Sequence, residues 1–167
     1  MPILNIKTYP ADILRKTSSA VKNVGDEERK LAYDMIETMR HAEGVGLAAP
    51  QIGITKRIIV IEDIENHASA LVLVNPKIVK KKGRSRFCEG CLSVPEVTSE
   101  IARPEFIALE ALNLDGEKLK IETRGLLSRI IQHEIDHLDG ILFIDRIALL
   151  KRKHVIKNIC SKESVEL

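Results

Sequence analysis

The chain has 167 residues, of which 44% are hydrophobic and 30% are charged. These values are typical of one globular domain with its own core, which we expect to span residues 1–167. A formal net charge of only +2, with 3% aromatic residues and no Trp, argues against DNA or RNA binding as the main task. No apolar run approaches the roughly 18 residues of a membrane-spanning helix, so we expect no membrane partner.

The cellular compartment is predicted from the opening segment and from the cysteines. The first twenty residues carry four charged side chains and lack the apolar core of a secretory signal, which predicts a cytoplasmic protein. The cysteines number three: Cys88, Cys91 and Cys160. In a reducing compartment this odd, low count indicates thiols or metal ligands rather than a disulfide framework.

The first half of the chain is predicted to contain one helix, one loop and two strands. Residues 26–42 predict a helix, because acidic residues begin the segment and apolar residues then recur at helical spacing. Residues 44–53 are mostly small and predict a loop where a backbone can approach a ligand closely. Residues 57–62 and 70–79 are rich in β-branched side chains and predict strands.

The second half is predicted to contain two further strands and two helices. Residues 106–114 and 118–123 predict strands joined by an Asp-Gly turn. Residues 124–138 predict a helix that is apolar on most sides and therefore buried, and residues 145–160 predict a last helix with a basic patch. We therefore predict an α+β fold, with mixed or antiparallel strands around one central buried helix, plus a C-terminal helix.

The predicted buried helix contains a His-Glu-x-x-His pattern. His133 and His137 are four residues apart, so a helix places both imidazoles on one face, one turn apart. Two imidazoles in this arrangement can hold one metal ion, and Glu134 beside them can move protons for a water molecule. The pattern therefore predicts metal-assisted hydrolysis.

Two histidines make an incomplete metal site, and the best third ligand lies upstream. His154, downstream, lies in a basic stretch that disfavours a bound cation. Cys91 can supply a thiolate, which binds divalent metals tightly. Cys88 leaves an alternative open, because with Cys91 and both histidines it would complete a closed structural zinc site without catalysis. If the segment is extended, however, positions 88 and 91 point to opposite faces.

Three separated segments together resemble the signature motifs of the peptide deformylase family. They are Gly-Val-Gly-Leu-Ala-Ala-Pro-Gln-Ile-Gly at 44–53, Glu-Gly-Cys-Leu-Ser at 89–93 and Gln-His-Glu-Ile-Asp-His at 132–137. All three occur in the order of the family and at similar separations. The resemblance implies a hydrolase that removes the N-terminal formyl group from nascent polypeptides beginning with formyl-methionine.

The resemblance also implies a cofactor and a partner. Cys91, His133 and His137 would bind one divalent metal ion, most often Fe²⁺, with Zn²⁺, Ni²⁺ or Co²⁺ as alternatives. Metal-bound hydroxide would attack the formyl carbon, with Glu134 as general base and then general acid. A C-terminal helix can dock on the ribosome in this family, so residues 145–160 are predicted to contact the ribosome near the exit tunnel.

Further site residues follow from the same resemblance. Gln51 and the backbone N–H of Leu92 would stabilise the oxyanion. The backbone around Val45 and Gly46 would pair with the extended peptide substrate. The methionine pocket would be lined by Val45, Leu126 and the stem of Arg129.

Overall fold

A computed structural model describes residues 2–63, 69–149, 152, 153 and 156, and in this part of the chain two antiparallel sheets combine with two helices. The elements are α1 (Asp26–His41), β1 (Gly46–Ala48), β2 (Ile58–Glu62), β3 (Ala70–Lys82), β4 (Ser85–Cys91), β5 (Val94–Arg103), β6 (Phe106–Leu112), β7 (Lys118–Arg124) and α2 (Gly125–Leu138). One sheet has the order β1-β2-β3-β6-β7, and β4 and β5 form a separate hairpin. The predicted α+β class is confirmed.

The large sheet separates the two helices because strand β2 is apolar on both faces. Ile59 and Ile61 belong to the apolar cluster that contains the inner face of α2. Ile58 and Val60 belong to the cluster on the other side, which contains Met35 and other residues of α1. Alternate side chains of a strand point to opposite faces. Each such buried side chain contributes about 1.5 to 3 kcal/mol of transfer free energy, so both helices are held firmly.

Residues 44–53, predicted as a loop, instead form β1 followed by a short 3-10 helix at Ala49–Ile52. The segment is anchored at both ends, because Glu62 N donates to Val45 O and Lys7 N donates to Gln51 O. Its small side chains allow the backbone to lie between α1, β2 and α2. The prediction of a loop was wrong because these pairings are with distant parts of the chain.

Helix α2 covers the predicted range with a one-residue shift at its start, and its residues from Ser128 to Leu138 are buried. Its apolar face, which includes Ile131 and Ile135, packs on the large sheet. The helix ends where the chain contacts the N-terminal segment. Ser18 N donates to Leu138 O at 2.8 Å, and Gly140 adopts a left-handed φ of +72°.

The hairpin of β4 and β5 was not predicted from the sequence. In β4 only Glu89 is buried, so the alternation of apolar and polar residues that indicates a strand is missing. The hairpin packs through Val94 and Ile101 against Phe143, in a third apolar cluster. It places the segment that contains Cys91 opposite the polar face of α2.

Two further predictions concern the C-terminal region and the membrane. Half of the predicted helix over 145–160 lies outside the described residues; among the described ones a short 3-10 helix occupies Phe143–Arg146, and Leu149, Arg152, Lys153 and Ile156 are helical. No helix in the described part of the chain is long and apolar enough to cross a membrane.

The close packing at the end of α2 generates a stability prediction. A Cβ atom on Gly140 would lie 2.5 Å from the carbonyl oxygen of Arg15, whereas a Cβ atom on Gly116, which also has a positive φ, would meet nothing within 4 Å. We expect Gly116→Ala to lower the free energy of unfolding by about 1 to 2 kcal/mol, the cost of the left-handed backbone. Gly140→Ala should add an overpacking cost, so that its free energy of unfolding falls by about 2 to 5 kcal/mol in total. Urea unfolding of both variants measures this, and equal losses would contradict the packing argument.

Candidate metal and active site

Three potential metal ligands from two elements meet at one point. The ligand atoms of Cys91, at the end of β4, and of His133 and His137, on α2, all lie within 4.8 Å of one another. Cys91 Sγ is 3.2 Å from His137 Nε2. The two imidazole centroids are 5.0 Å apart, as expected for residues one helical turn apart. The predicted trio is therefore brought together by the hairpin and the helix.

Cys88 is not a member of this group. Among the residues that the structure describes, the only group of at least three close His, Cys, Asp or Glu ligand atoms is that of Cys91, His133 and His137. Cys88 lies on the same strand but is exposed. A closed tetrahedral site needs four protein ligands, so this arrangement favours a three-ligand site.

Glu89 fixes the orientation of the first histidine. Its Oε2 lies 3.1 Å from His133 Nδ1, and because a carboxylate can only accept, Nδ1 is the donor. The other ring nitrogen, Nε2, is therefore available to a metal ion. Such a carboxylate behind a histidine fixes the ring orientation and raises the basicity of the ligand.

Two buried arginines hold Glu89 in turn. Arg103 donates to both Glu89 oxygens, at 2.7 and 2.9 Å, and Arg129 donates to Oε1 at 2.5 Å. Burial alone would raise the pKa of Glu89, but hydrogen bonds from His133 and Arg103 lower it to about 2. Arg103 also donates to Asp136 at 2.8 Å. The carboxylate is therefore ionised and rigidly positioned.

The pKa values of the two histidines indicate the charge that the site favours. Burial lowers the pKa of His137 well below its usual value. Burial also opposes the charged form of His133, but hydrogen bonds with Cys91 and Glu89 raise its pKa to about 10. Glu89 and Cys91 therefore favour a positive charge at His133, whereas burial keeps His137 neutral and able to ligate. Together with one sulfur and two nitrogen donors, this fits a divalent metal ion.

Glu134, the second residue of the His-Glu-x-x-His pattern, lies beside the trio on α2. Only 4% of the surface of Glu134 is exposed. Within the described part of the chain, its Oε2 is buried and makes no hydrogen bond. Burial raises the pKa of Glu134 to about 7, a value that suits a group that both accepts and donates a proton near neutral pH.

Gly46 approaches Glu134 so closely that no side chain fits between them. A Cβ atom at position 46 would lie 2.5 Å from Glu134 Oε1 and 2.9 Å from its Cδ. Strand β1 therefore forms one wall around the carboxylate. This contact explains in physical terms why a glycine occupies the position.

The side chain of Gln51 is held in one orientation at the same site. Its Oε1 accepts from Ala48 N at 2.8 Å, which turns Nε2 towards Ser93 Oγ at 3.1 Å and Cys91 Sγ at 3.7 Å. Leu92 follows Cys91 at the tip of the hairpin between β4 and β5. Both predicted oxyanion donors therefore belong to segments adjacent to the ligand trio.

A cavity of about 520 Å³ opens onto these groups. Every predicted site residue lines it except His137, which is 1% exposed. Val45 and Leu126 are about half exposed and supply apolar surface. The guanidinium of Arg129 contacts Glu89 and Ser85 O rather than the cavity centre.

Three contributors to the site were missed by sequence reasoning. Glu89 is the first residue of the motif at 89–93 but was given no role, although its position there was a usable signal. Arg103 carries no local signal, because its partners lie on β4 and α2. Phe87, 57% exposed and 5.7 Å from the Arg129 guanidinium, lines the cavity on a strand that was not predicted.

Comparison with known proteins gives one consistent family. A family model described as polypeptide deformylase matches residues 3–153. A peptide deformylase of Buchnera aphidicola subsp. Acyrthosiphon pisum (strain Tuc7) is 48% identical over 157 residues, covering 94% of this chain and 91% of the relative. One from Thermodesulfovibrio yellowstonii is 44% identical over 165 residues, covering 98% and 100%. The crystal structure of a peptide deformylase from Legionella pneumophila matches with a TM-score of 0.91 at 38% identity, covering 99% and 98%.

The Glu89 network generates a prediction about metal affinity. Glu89→Gln keeps the shape of the side chain but removes the buried counter-charge of Arg129 and one of the two buried carboxylates that pair with Arg103. We expect metal affinity, measured by competition with a chromophoric chelator, to fall 10- to 100-fold. The free energy of unfolding of the metal-free protein should fall by about 3 to 5 kcal/mol.

The matched control is Glu100→Gln on β5, whose partner Arg86 and own side chain are both more than half exposed. Exposed ion pairs contribute little, so both quantities should change only slightly. Similar effects in the two variants would contradict the role given to Glu89.

Proposed function

The chain belongs to the polypeptide deformylase family, enzymes that remove the formyl group from formyl-methionine peptides, and we propose that its catalytic centre is the trio Cys91, His133 and His137 with Glu134. The observation that carries this proposal is the convergence of one thiol and two imidazoles within 4.8 Å beside a buried carboxylate without a hydrogen-bond partner in the described chain. Nascent peptides that begin with formyl-methionine are the substrate.

The metal ion that fits this trio is Fe²⁺, with Zn²⁺, Ni²⁺ or Co²⁺ as alternatives. A thiolate in place of a third imidazole favours soft or ferrous ions. When bound, such an ion lowers the pKa of water from 15.7 to about 7 and polarises a carbonyl oxygen. Glu89 holds Nδ1 of His133, so that Nε2 would be the atom that binds the ion, and burial keeps His137 neutral and able to ligate.

Glu134 transfers the proton in this proposal. It takes the proton from the attacking water and delivers it to the α-amine of the departing peptide, which is a poor leaving group until it is protonated. A pKa of about 7 allows both steps near neutral pH. The wall formed by Gly46 keeps the carboxylate in place while the proton is transferred.

Two neutral donors stabilise the charge that develops on the formyl oxygen. Gln51 presents Nε2, held by the bond from Ala48 N to Oε1, and Leu92 presents its backbone N–H. Fixed donors of this kind cost no reorganisation during the reaction, and removal of one typically lowers the rate 10²- to 10³-fold.

The substrate binds as an added strand in the proposed complex. β1 lies at the edge of the large sheet and, among the described strands, pairs only with β2, so the backbone around Val45 and Gly46 can pair with an extended peptide. The methionine side chain enters the cavity, where Val45, Leu126 and the stem of Arg129 provide apolar contact.

The organisation of the whole chain completes the proposal. Residues 1–167 form one catalytic domain with α2 as its central helix, supported by a family match that covers 3–153. The enzyme works in the cytoplasm, where nascent chains are made, and the basic segment 145–160 contacts the ribosome near the exit tunnel.

Substitution of the proton carrier and of the thiolate tests the catalytic proposal. Glu134→Gln should retain metal but lower formate release from a formyl-Met peptide by roughly 10²- to 10⁴-fold, because the proton transfer is lost. Cys91→Ala should lose both metal and activity. Cys88→Ser is the matched thiol control and should change neither.

The same variants distinguish this proposal from two other functions, an endopeptidase and a structural zinc module. For this purpose the protein is prepared without oxygen and its metal content is determined. An endopeptidase of the zincin type would keep its activity in Cys91→Ala. A structural zinc module would release metal in Cys88→Ser and be unaffected by Glu134→Gln.

The wall formed by Gly46 gives a second prediction about activity. The added methyl group of Gly46→Ala would displace the buried Glu134 carboxylate, so we expect formate release to fall at least about tenfold, towards the 10²- to 10⁴-fold of a lost general base. Gly90→Ala is the control, because its Cβ would lie 3.5 Å from Thr98 Cγ2 in ordinary contact. Equal activity of the two variants would refute the role of the wall.

A further inference from the structure

A strongly basic stretch lies outside the catalytic site. Residues 77–86 read Lys-Ile-Val-Lys-Lys-Lys-Gly-Arg-Ser-Arg, which is six cationic and no anionic residues in ten positions. The whole chain has a formal net charge of only +2, so the remainder is net negative. A local concentration of this kind produces a positive potential that the overall charge does not reveal.

The charges of this stretch are exposed and mostly unpaired. We call five of them the basic edge: Lys77, Lys80, Lys81, Lys82 and Arg84. All five are exposed, and none forms a salt bridge with another residue of the described chain. Arg86 differs, because it pairs with Glu100 at 3.1 Å.

The neighbouring strands extend the positive surface. Directly opposed residues of antiparallel strands share a face. The register aligns Lys82 with Phe106 and Arg124, Lys80 with Ala108 and Glu122, and Lys77 with Glu110 and Lys120. The acidic residues of these rows number two against five cationic ones, and Lys120 lies 3.9 Å from Glu110. The outer face of β3, β6 and β7 is therefore net positive.

The basic edge is continuous with the mouth of the catalytic cavity. Strand β4 follows it directly, and Phe87, three residues after Arg84, lines the cavity. Three residues of extended chain span about 10 Å. Glu43 and Glu96 also line the cavity, and their negative charge disfavours entry of a polyanion there. A polyanion bound at the basic edge would therefore lie beside the cavity without filling it.

We propose that the basic edge binds the phosphate backbone of ribosomal RNA and thereby holds the cavity mouth beside an emerging peptide. The inference rests on the proposed function, because a nascent peptide is presented by the ribosome. Lysine ammonium groups act as point charges for phosphate without base readout, which suits a structured RNA surface. This surface is separate from the C-terminal segment 145–160.

The same lysines have a competing explanation in the sheet itself. After Val74, strand β3 pairs with β6 alone within the described residues, so its other edge is open there. Lysines on an open edge prevent pairing with a second copy of the chain. This explanation predicts self-association, rather than loss of RNA binding, when the charges are removed, so the two are separable by experiment.

The test compares two full-length variants with the same change in charge. The edge variant carries Lys80→Gln, Lys82→Gln and Arg84→Gln. The control variant carries three substitutions at exposed positions outside the edge and outside β6 and β7: Lys16→Gln, Lys22→Gln and Lys30→Gln. Affinity for purified ribosomes is measured between 0.05 and 0.2 M salt, by sedimentation, and formate release is measured with a short formyl-Met peptide.

The edge variant should bind ribosomes on the order of 10- to 100-fold more weakly at 0.1 M salt, with the slope of log K against log salt reduced by about 2. Formate release should match that of the parent protein in both variants. If the parent protein itself released no formate, the proposed function would be refuted, whatever the result of the binding measurement.

Other outcomes overturn the inference. One is that ribosome affinity falls equally in the edge and control variants, and another is that the parent protein shows no measurable ribosome binding. A third is that the edge variant dimerises but binds ribosomes as tightly as the parent protein. Binding that survives nuclease removal of exposed ribosomal RNA would assign the surface to a protein partner. Edge-dependent binding to vesicles with 30% phosphatidylserine but not to ribosomes would assign it to a membrane. A variant that ends at residue 149 should keep the edge-dependent binding.

Discussion

The buried carboxylate of Glu89 is the interaction on which the site depends. It joins Arg103 of β5 with Arg129 and His133 of α2, so it fixes the hairpin against the helix and orients a metal ligand at the same time. A charge in this position is tolerated only because it is fully paired, since an uncompensated ion in the interior costs several kcal/mol. The position of Cys91 follows, because it lies two residues further along β4.

The site is energetically unfavourable by itself, and the apolar core offsets the cost. Glu134 Oε2 and His137 Nδ1 are buried without hydrogen bonds in the described chain, and each such group costs about 1 to 3 kcal/mol. The opposite face of the same helix buries Ile131, Ile135 and other apolar residues against the sheet. Each contributes about 1.5 to 3 kcal/mol, so one helix can carry both a stable face and a reactive face.

The cavity and the outer face of β3 carry charges of opposite sign. Acidic and thiol groups converge inside the cavity, where they favour a cation, while cationic side chains collect on the outer face of β3. The two regions are joined by β4, which begins beside Arg84 and ends at Cys91. A strand of seven residues spans about 23 Å, enough to separate a surface contact from the chemistry while keeping them in fixed relation.

The sequence by itself determined the elements whose signal is local. The helical spacing of His133 and His137, the β-branched runs and the Asp-Gly turn predicted α2 and four strands, and the three motifs predicted the family. Tertiary structure decided what depends on distant partners: the β4–β5 hairpin, the β1 strand within residues 44–53, the pairing of Glu89 with Arg103, and the contact of Gly46 with Glu134. Local patterns record burial and backbone preference, whereas Glu89 and Arg103 are 14 positions apart and Gly46 and Glu134 are 88 positions apart. The energy of such contacts comes from pairing that no single segment contains.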